Sequence, residues 1–284
     1  MKVKESLRRT AATLAAKGID DASLEAELLL MHVMGVERAG LYVCLEDNQS
    51  SKHAAALSKL VNRRLKREPS AYILGHREFY GMDFYVDSSV LIPRPETELL
   101  VDEAITFARS NFPSCDPIVA DIGTGSGAIA VSLARSLPRA GVCGVDISPR
   151  ALDIAALNCI RHNVRIELLA GDLLAPLSEP VDMIVANLPY VADGDMAGLS
   201  YEIREYEPGV ALAGGEDGLD IVRRLIVDAP QRLNPGGAVL VEVAPAQMSA
   251  LKAWAGALGP WAQVASVADA GGFARVLKLI LTRR

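Results

Sequence analysis

The sequence predicts an α/β fold: a mostly parallel, seven-stranded sheet with helices on both faces and an antiparallel last strand, preceded by a small N-terminal helical domain. Three observations carry this. From Pro117 onward, short apolar runs alternate with helix-length stretches. The first of those runs turns through glycines into an apolar helix. Everything before about residue 67 has helical spacing instead.

In the N-terminal part, Leu24, Leu28 and Met31 fall at i, i+4 and i+7, and Leu57, Leu60, Val61 and Leu65 mark a second stripe. Ser23 is the expected cap of the first helix, with Glu25 and Glu27 in the turn where the helix dipole favours acid. The second helix stops at Glu68-Pro69, because a residue before proline is pushed out of the helical region. The aromatic and β-branched stretch Phe79 to Val86, followed by Val90-Leu91-Ile92, reads as a short hairpin ending at Pro93-Arg94-Pro95. Expected boundaries are 1–70 for the helical domain, 71–95 for the hairpin linker and 96–284 for the α/β domain.

The strands of the α/β domain are expected at Ile118-Val119-Ala120, Val142 to Val145, Ile166 to Leu169, Met183 to Ala186 and Val239 to Val243. A last pair, Gln263 to Val267 and Val276 to Ile280, has no helix-length segment between its members and is expected to pair antiparallel.

Composition removes several classes. Half the residues are hydrophobic and 23% are charged, as in ordinary globular proteins. A net charge of −6 argues against a surface that holds nucleic acid through phosphates. Cys44, Cys115, Cys143 and Cys159 are scattered, without C-x-x-C pairs or histidines at ligand spacing, so reduced thiols, no metal and a cytoplasmic protein are expected. Neither a secretory signal nor a membrane-length apolar run is present. None of the four histidines falls in the motifs below.

The chemistry begins at Asp121-Ile122-Gly123-Thr124-Gly125-Ser126-Gly127. A strand turning through glycines into a helix brings bare backbone against a ligand at the carboxyl end of a sheet. Asp146 ends the next strand, where a carboxylate can accept from both hydroxyls of a ribose, so the pair points to an adenosine-containing cofactor. The spacing is G-x-G-x-G rather than the dinucleotide G-x-G-x-x-G, and it resembles the first motif of class I methyltransferases. In that class Asp172, with Leu173 beside it, stands where adenine is contacted; taken alone it reads equally as a helix cap.

At the same sheet edge the fourth strand ends in Asn187-Leu188-Pro189-Tyr190. An amide nitrogen is a poor nucleophile because its lone pair is delocalised, so it must be gripped in one orientation. The Asn187 oxygen and the Leu188 carbonyl each accept one N–H of a substrate NH₂, with Asn187 also bordering the cofactor. Pro189 restricts Leu188, and Tyr190 offers a ring to pack on a flat amide or base. The tetrapeptide resembles the N-P-P-Y of methyltransferases acting on planar amino groups, with Leu188 in place of the first proline; by itself it leaves glutamine and adenine both open.

Seven further stretches decide the family: Arg67-Glu68-Pro69 with Tyr72 to Gly75, Glu78 to Gly81, and Val90 to Glu98; then Tyr206-Glu207-Pro208 and Gly214 to Leu219; and Asp269-Ala270-Gly271 to Arg275. With these, nearly the whole chain resembles the release factor glutamine methyltransferases. That resemblance implies a class I methyltransferase domain behind a helical substrate-binding domain. It implies S-adenosyl-L-methionine as donor, S-adenosyl-L-homocysteine as product, and, as substrate, the glutamine of the Gly-Gly-Gln loop of class 1 peptide chain release factors. The chain departs from the family's pattern at Leu188 and at Glu242-Val243-Ala244-Pro245-Ala246-Gln247, where a glycine usually follows the glutamate. Arg94 and Glu96 in the linker are expected to fix structure rather than touch substrate.

The rivals are a glutamine methyltransferase acting on a ribosomal protein, an adenine amino-group methyltransferase acting on nucleic acid, and a non-catalytic adaptor. The second requires a basic face, for which only short clusters such as Arg63-Arg64 and Lys66-Arg67 are present.

Overall fold

The computed structural model describes residues 1–113 and 115–283. The chain opens with helices α1 (Val3–Ala16), α2 (Ala22–Met34), α3 (Arg38–Val43), α4 (Ser51–Leu65) and α5 (Ser70–Leu74), then a hairpin of β1 (His76–Phe79) and β2 (Met82–Tyr85). There follow α6 (Glu98–Asn111), β3 (Ile118–Ile122), α7 (Ala128–Ser136), β4 (Gly141–Asp146), α8 (Pro149–Arg161), β5 (Glu167–Ala170) and β6 (Val181–Ala186). The remainder is α9 (Tyr201–Tyr206), α10 (Asp220–Asp228), β7 (Leu233–Glu242), α11 (Pro245–Ala257), β8 (Trp261–Ala268) and β9 (Ala274–Leu281). Two compact units result: Met1–His76 together with Tyr201–Tyr206, and Arg77–Ser200 together with Glu207–Arg284.

The helical unit is built differently from its sequence pattern in three respects. The buried positions of α2 are Ala26, Glu27, Leu29 and Leu30, while Leu24, expected in the core stripe, is 46% exposed. This helix is apolar on most of its circumference, so several stripes compete, and packing against α1 and α4 selects the one a sequence window does not single out. Ser23 does not cap it: the cap position is Asp21, whose carbonyl accepts from Glu25 N at 3.0 Å, so the first turn has already begun at Ser23. Asp21 takes the left-handed conformation at φ 50°, which Asp tolerates better than most residues. The second helix ends at Leu65, ahead of Pro69, because Arg67 already turns out of the helix at φ 69°.

Arg64 ties this unit together. Its side chain is 4% exposed and bonds Glu25 of α2 through Nε and Glu202 of α9 through Nη1 at 2.8 Å. Removing the guanidinium strands Glu25 and leaves Glu202 only the longer contact with Arg67 at 3.5 Å, so Arg64→Ala is expected to lower stability by about 2 kcal/mol in urea unfolding; a loss below about 0.5 kcal/mol would mean that the cluster is solvated.

The hairpin is shorter than expected. Its turn is Tyr80-Gly81, both at positive φ (53° and 69°), the geometry that matches strand twist in a two-residue loop. Both strands therefore lie within 76–85, and Val90-Leu91-Ile92 is not a strand.

The larger unit carries a seven-stranded sheet in the order β5-β4-β3-β6-β7-β9-β8. From β5 to β7 all neighbours are parallel; β9 runs antiparallel to both β7 and β8, as its short connection to β8 requires. Alternate residues feed two cores. Ile184, Ala186, Val239 and Val241 pack with α10 and α11 on one face. Met183, Val185, Ala238 and Leu240 pack with α6 and α7 on the other. Among the described residues no single helix is long and apolar enough to cross a membrane.

Candidate active site

The sheet register assembles the site. Ile122 at the end of β3 is flanked by Val145 of β4 and Ala186 of β6, so Gly123, Asp146 and Asn187 leave the sheet side by side at its carboxyl rim. Connections depart in opposite directions on either side of β3, the position where open α/β sheets form a crevice. An open cavity with about 1200 Å³ of empty space, solvent mouth included, lies there, lined by the glycine turn, Asp146, Asp172, Leu173 and Asn187-Leu188-Pro189.

Backbone bonds pin the glycine turn to β4: the amides of Gly123 and Thr124 both donate to Val145 O, at 2.8 and 3.0 Å. Gly123, Gly125 and Gly127 all have positive φ. A Cβ at Gly123 would lie 3.0 Å from the Leu188 side chain and one at Gly127 3.2 Å from Ala155, while Gly125 faces nearly open space. Tight turn, close ligand approach and helix packing are thus divided among the three. Asp146 is at the mouth of the turn, accepting from Gly125 N at 2.8 Å and Ser148 N at 2.9 Å. Asp172 lines the cavity and pairs with Arg224 at 2.5 Å.

Asp121, expected to meet the cofactor, instead lies behind the turn. It is fully buried and not on the cavity wall. Its Oδ2 accepts from the Thr124 hydroxyl at 2.7 Å and Ala130 N at 3.1 Å, and Oδ1 has no partner. Desolvation, with a smaller contribution from the charge of Asp146, pushes its carboxyl up to about 7, against the opposing pull of those two hydrogen bonds. A carboxyl raised from 3.8 to about 7 favours the folded state fully below pH 3.8 and loses that contribution as pH climbs toward 7. Asp121→Asn, which cannot ionise, is therefore expected to gain stability relative to the parent chain between about pH 5 and about pH 8, read by urea unfolding at both; parallel pH profiles would show that Asp121 stays ionised throughout.

Tyr190 also differs from expectation. It is not on the cavity wall; its hydroxyl approaches Glu242 Oε1 at 3.5 Å, and burial, then the Glu242 charge, push its pKa up to about 12. Its carbonyl accepts from Gln247 Nε2 at 2.8 Å, and the same nitrogen donates to Asp217 O at 3.1 Å. Gln247 Oε1 meanwhile caps α11 through Ala244 N at 3.1 Å. Gln247 thus fastens the tetrapeptide to the Gly214–Gly218 turn despite the unusual Ala244-Pro245 before it. Val191 N donates to Leu212 O and Gly214 N to Val191 O, at 2.9 and 2.8 Å, which completes the clamp.

In the linker, Arg94 pairs with the buried Glu207, which also accepts from Ile92 N at 3.3 Å. Arg94 fixes structure here while bordering the cavity, as do Val90 and Leu91. Two residues escaped the sequence reading. Thr97, buried at 5% exposure, accepts from Asn187 Nδ2 at 3.0 Å. Glu242, a carboxylate closing the apolar run 238–241 of its strand, is 2% exposed with Oε2 unpartnered. A charged residue at the carboxyl end of a buried apolar run was the available signal. Among the described residues no group of three His, Cys, Asp or Glu side chains is placed to hold a metal ion.

Comparison with known proteins agrees with this architecture. Residues 5–75 match the PrmC N-terminal domain and residues 98–202 the methyltransferase small domain. The chain is 47% identical over 242 residues to the release factor glutamine methyltransferase of Geobacter sulfurreducens, covering 85% of this chain and 84% of that one. It is 41% identical over 270 residues to that of Rhodopirellula baltica, covering 93% and 90%. Among solved structures, a methyltransferase from Pyrococcus furiosus aligns with TM-score 0.51 at 18% identity over 79% of this chain and 99% of that one. The hMettl16 catalytic domain aligns with TM-score 0.55 at 19% identity, over 79% and 82%. These place the larger unit in the class I methyltransferase fold. Over most of its length, and at this level of identity, the chain belongs to the release factor glutamine methyltransferase family.

Proposed function

We propose that this chain methylates the side-chain amide nitrogen of the glutamine in the Gly-Gly-Gln loop of class 1 peptide chain release factors, with S-adenosyl-L-methionine as donor and S-adenosyl-L-homocysteine as product, in the cytoplasm. The observation that carries this reading is that Asn187 and the glycine turn open on one cavity at the carboxyl rim.

The residues present fit an adenosine-bearing donor. Gly125 leaves backbone bare, Asp146 keeps spare lone pairs for ribose hydroxyls beyond the two amides it already accepts, and Asp172 with Leu173 stands at the far wall for the adenine. When bound, the donor supplies a methyl group already activated on a sulfonium. Everything else is positioning and exclusion of water. Asn187 Oδ1 and the Leu188 carbonyl accept the two N–H bonds of the substrate amide and hold its nitrogen in one orientation. Leu188 in place of proline leaves this grip intact, because a backbone carbonyl survives any substitution, and the leucine side chain, 4% exposed, packs against Gly123. Pro189 restricts the Leu188 backbone. Tyr190 serves as an anchor of the loop through its carbonyl. The helical unit contributes to holding the release factor.

The test is incubation of the purified chain with labelled S-adenosyl-L-methionine and a release factor, with a ribosomal protein and an adenine-containing RNA in parallel, followed by mass spectrometry. One additional methyl on the Gly-Gly-Gln glutamine is expected. Modification of either parallel substrate in its place would overturn the reading, and binding of the donor with no transfer to any of them would make the chain an adaptor.

A further inference from the structure

Thr97 stands at the N-cap position of α6, where a threonine hydroxyl ordinarily accepts from the helix's own first amides. It makes no such bond. Its oxygen accepts from Asn187 Nδ2 at 3.0 Å instead. Thr97 is buried on the wall of the same cavity and holds the nitrogen end of the amide, which leaves the Asn187 oxygen for the cavity that both residues line. Without this directional contact the two ends of a carboxamide are nearly equivalent in shape, and the amide can turn its NH₂ toward a substrate NH₂, where two donors repel.

We propose that Thr97 is a positioning residue that fixes the orientation of the Asn187 amide and so selects a carboxamide substrate's NH₂ as the group held for methyl transfer. The inference rests on the reading of Asn187 as the amide grip. It adds a function for a buried polar residue of the cavity wall.

The test compares Thr97→Val, which keeps the shape and loses the hydroxyl, with Thr97→Ser, which keeps the hydroxyl, in the full chain with release factor as substrate. Because the hydroxyl caps no helix, neither change removes a cap. Thr97→Val is expected to lower kcat about 10-fold or more while KM for the release factor and the Kd for S-adenosyl-L-methionine, measured calorimetrically, stay within about twofold; Thr97→Ser is expected to restore most of the rate. The proposal is overturned if Thr97→Val keeps more than about half of the parental kcat, if Thr97→Ser is as slow as Thr97→Val, or if donor affinity falls in step with rate. Asn187→Ala run alongside separates the two levels. A fully active Asn187→Ala removes the grip and this inference together, whereas a slow Asn187→Ala beside a normal Thr97→Val removes the inference alone.

Discussion

Asn187→Ala is expected to abolish most turnover, by about three orders of magnitude, while the Kd for S-adenosyl-L-methionine stays nearly unchanged. The asymmetry follows from the geometry. The groups assigned to the donor are the backbone of the glycine turn, Asp146 and Asp172, and their hydrogen bonds and ion pair run to Val145, Ser148 and Arg224, not to the Asn187 side chain. The acceptor amide, by contrast, depends on the Asn187 oxygen for its orientation, and orientation is what the reaction needs once the methyl group is activated. Single-turnover methylation of a release factor, paired with calorimetric titration of the donor, reads both quantities. A variant that retains even a tenth of the parental rate would place the grip elsewhere, and a variant that loses donor binding would move Asn187 from acceptor to donor side.

Gly218→Ala is expected to be nearly as damaging, from a position outside the cavity. Gly218 has φ 77°, and a methyl group there would overlap the Tyr190 carbonyl oxygen and the Gln247 amide, with the Tyr190 carbonyl carbon at 3.0 Å. Neither is the free end of a flexible chain, since the two are bonded to each other at 2.8 Å. The clamp must open, and the tetrapeptide moves with it. Turnover is expected to fall by about two orders of magnitude and stability by about 3 kcal/mol. Gly259→Ala is the control: its φ of 86° carries the same backbone strain, but nothing lies within 4 Å of the added carbon. That variant should lose about 1 kcal/mol and no activity. Equal effects in the two would assign the damage at Gly218 to backbone strain alone and dismiss the clamp.

The parts of the molecule legible in the sequence are those where one residue type answers one local requirement. Gly123, Gly125 and Gly127 announce a turn at positive φ, and Asn187 at the end of an apolar run announces a polar group at a strand tip. The parallel strands are legible because alternate residues must enter two cores, leaving near-continuous apolar runs. What stayed hidden depends on partners far along the chain. Leu24 looks like a core residue until α1 and α4 choose another face of α2. Asp121 looks like a ligand to cofactor because it precedes the glycines, yet the Thr124 hydroxyl and the Ala130 amide draw it to the rear of the turn. Thr97 is separated from Asn187 by 90 positions, and only the completed sheet brings the two within a hydrogen bond.

One feature of chain routing sets how this protein can be dissected. Helix α9 leaves the body that contains its flanking residues and joins the amino-terminal helices through Glu202 and through the Tyr206 hydroxyl, which donates to Lys66 O at 2.8 Å. No single scission therefore yields the helical body whole. A fragment beginning after His76 would carry Tyr201–Tyr206 as an orphan segment severed from Arg64, and the released amino-terminal piece would keep a buried guanidinium short of one of its two carboxylates. Excision of an intact helical module takes a relinked chain that stitches residues 1–76 to 201–206, and transplanting that module between homologous enzymes requires moving both pieces at once.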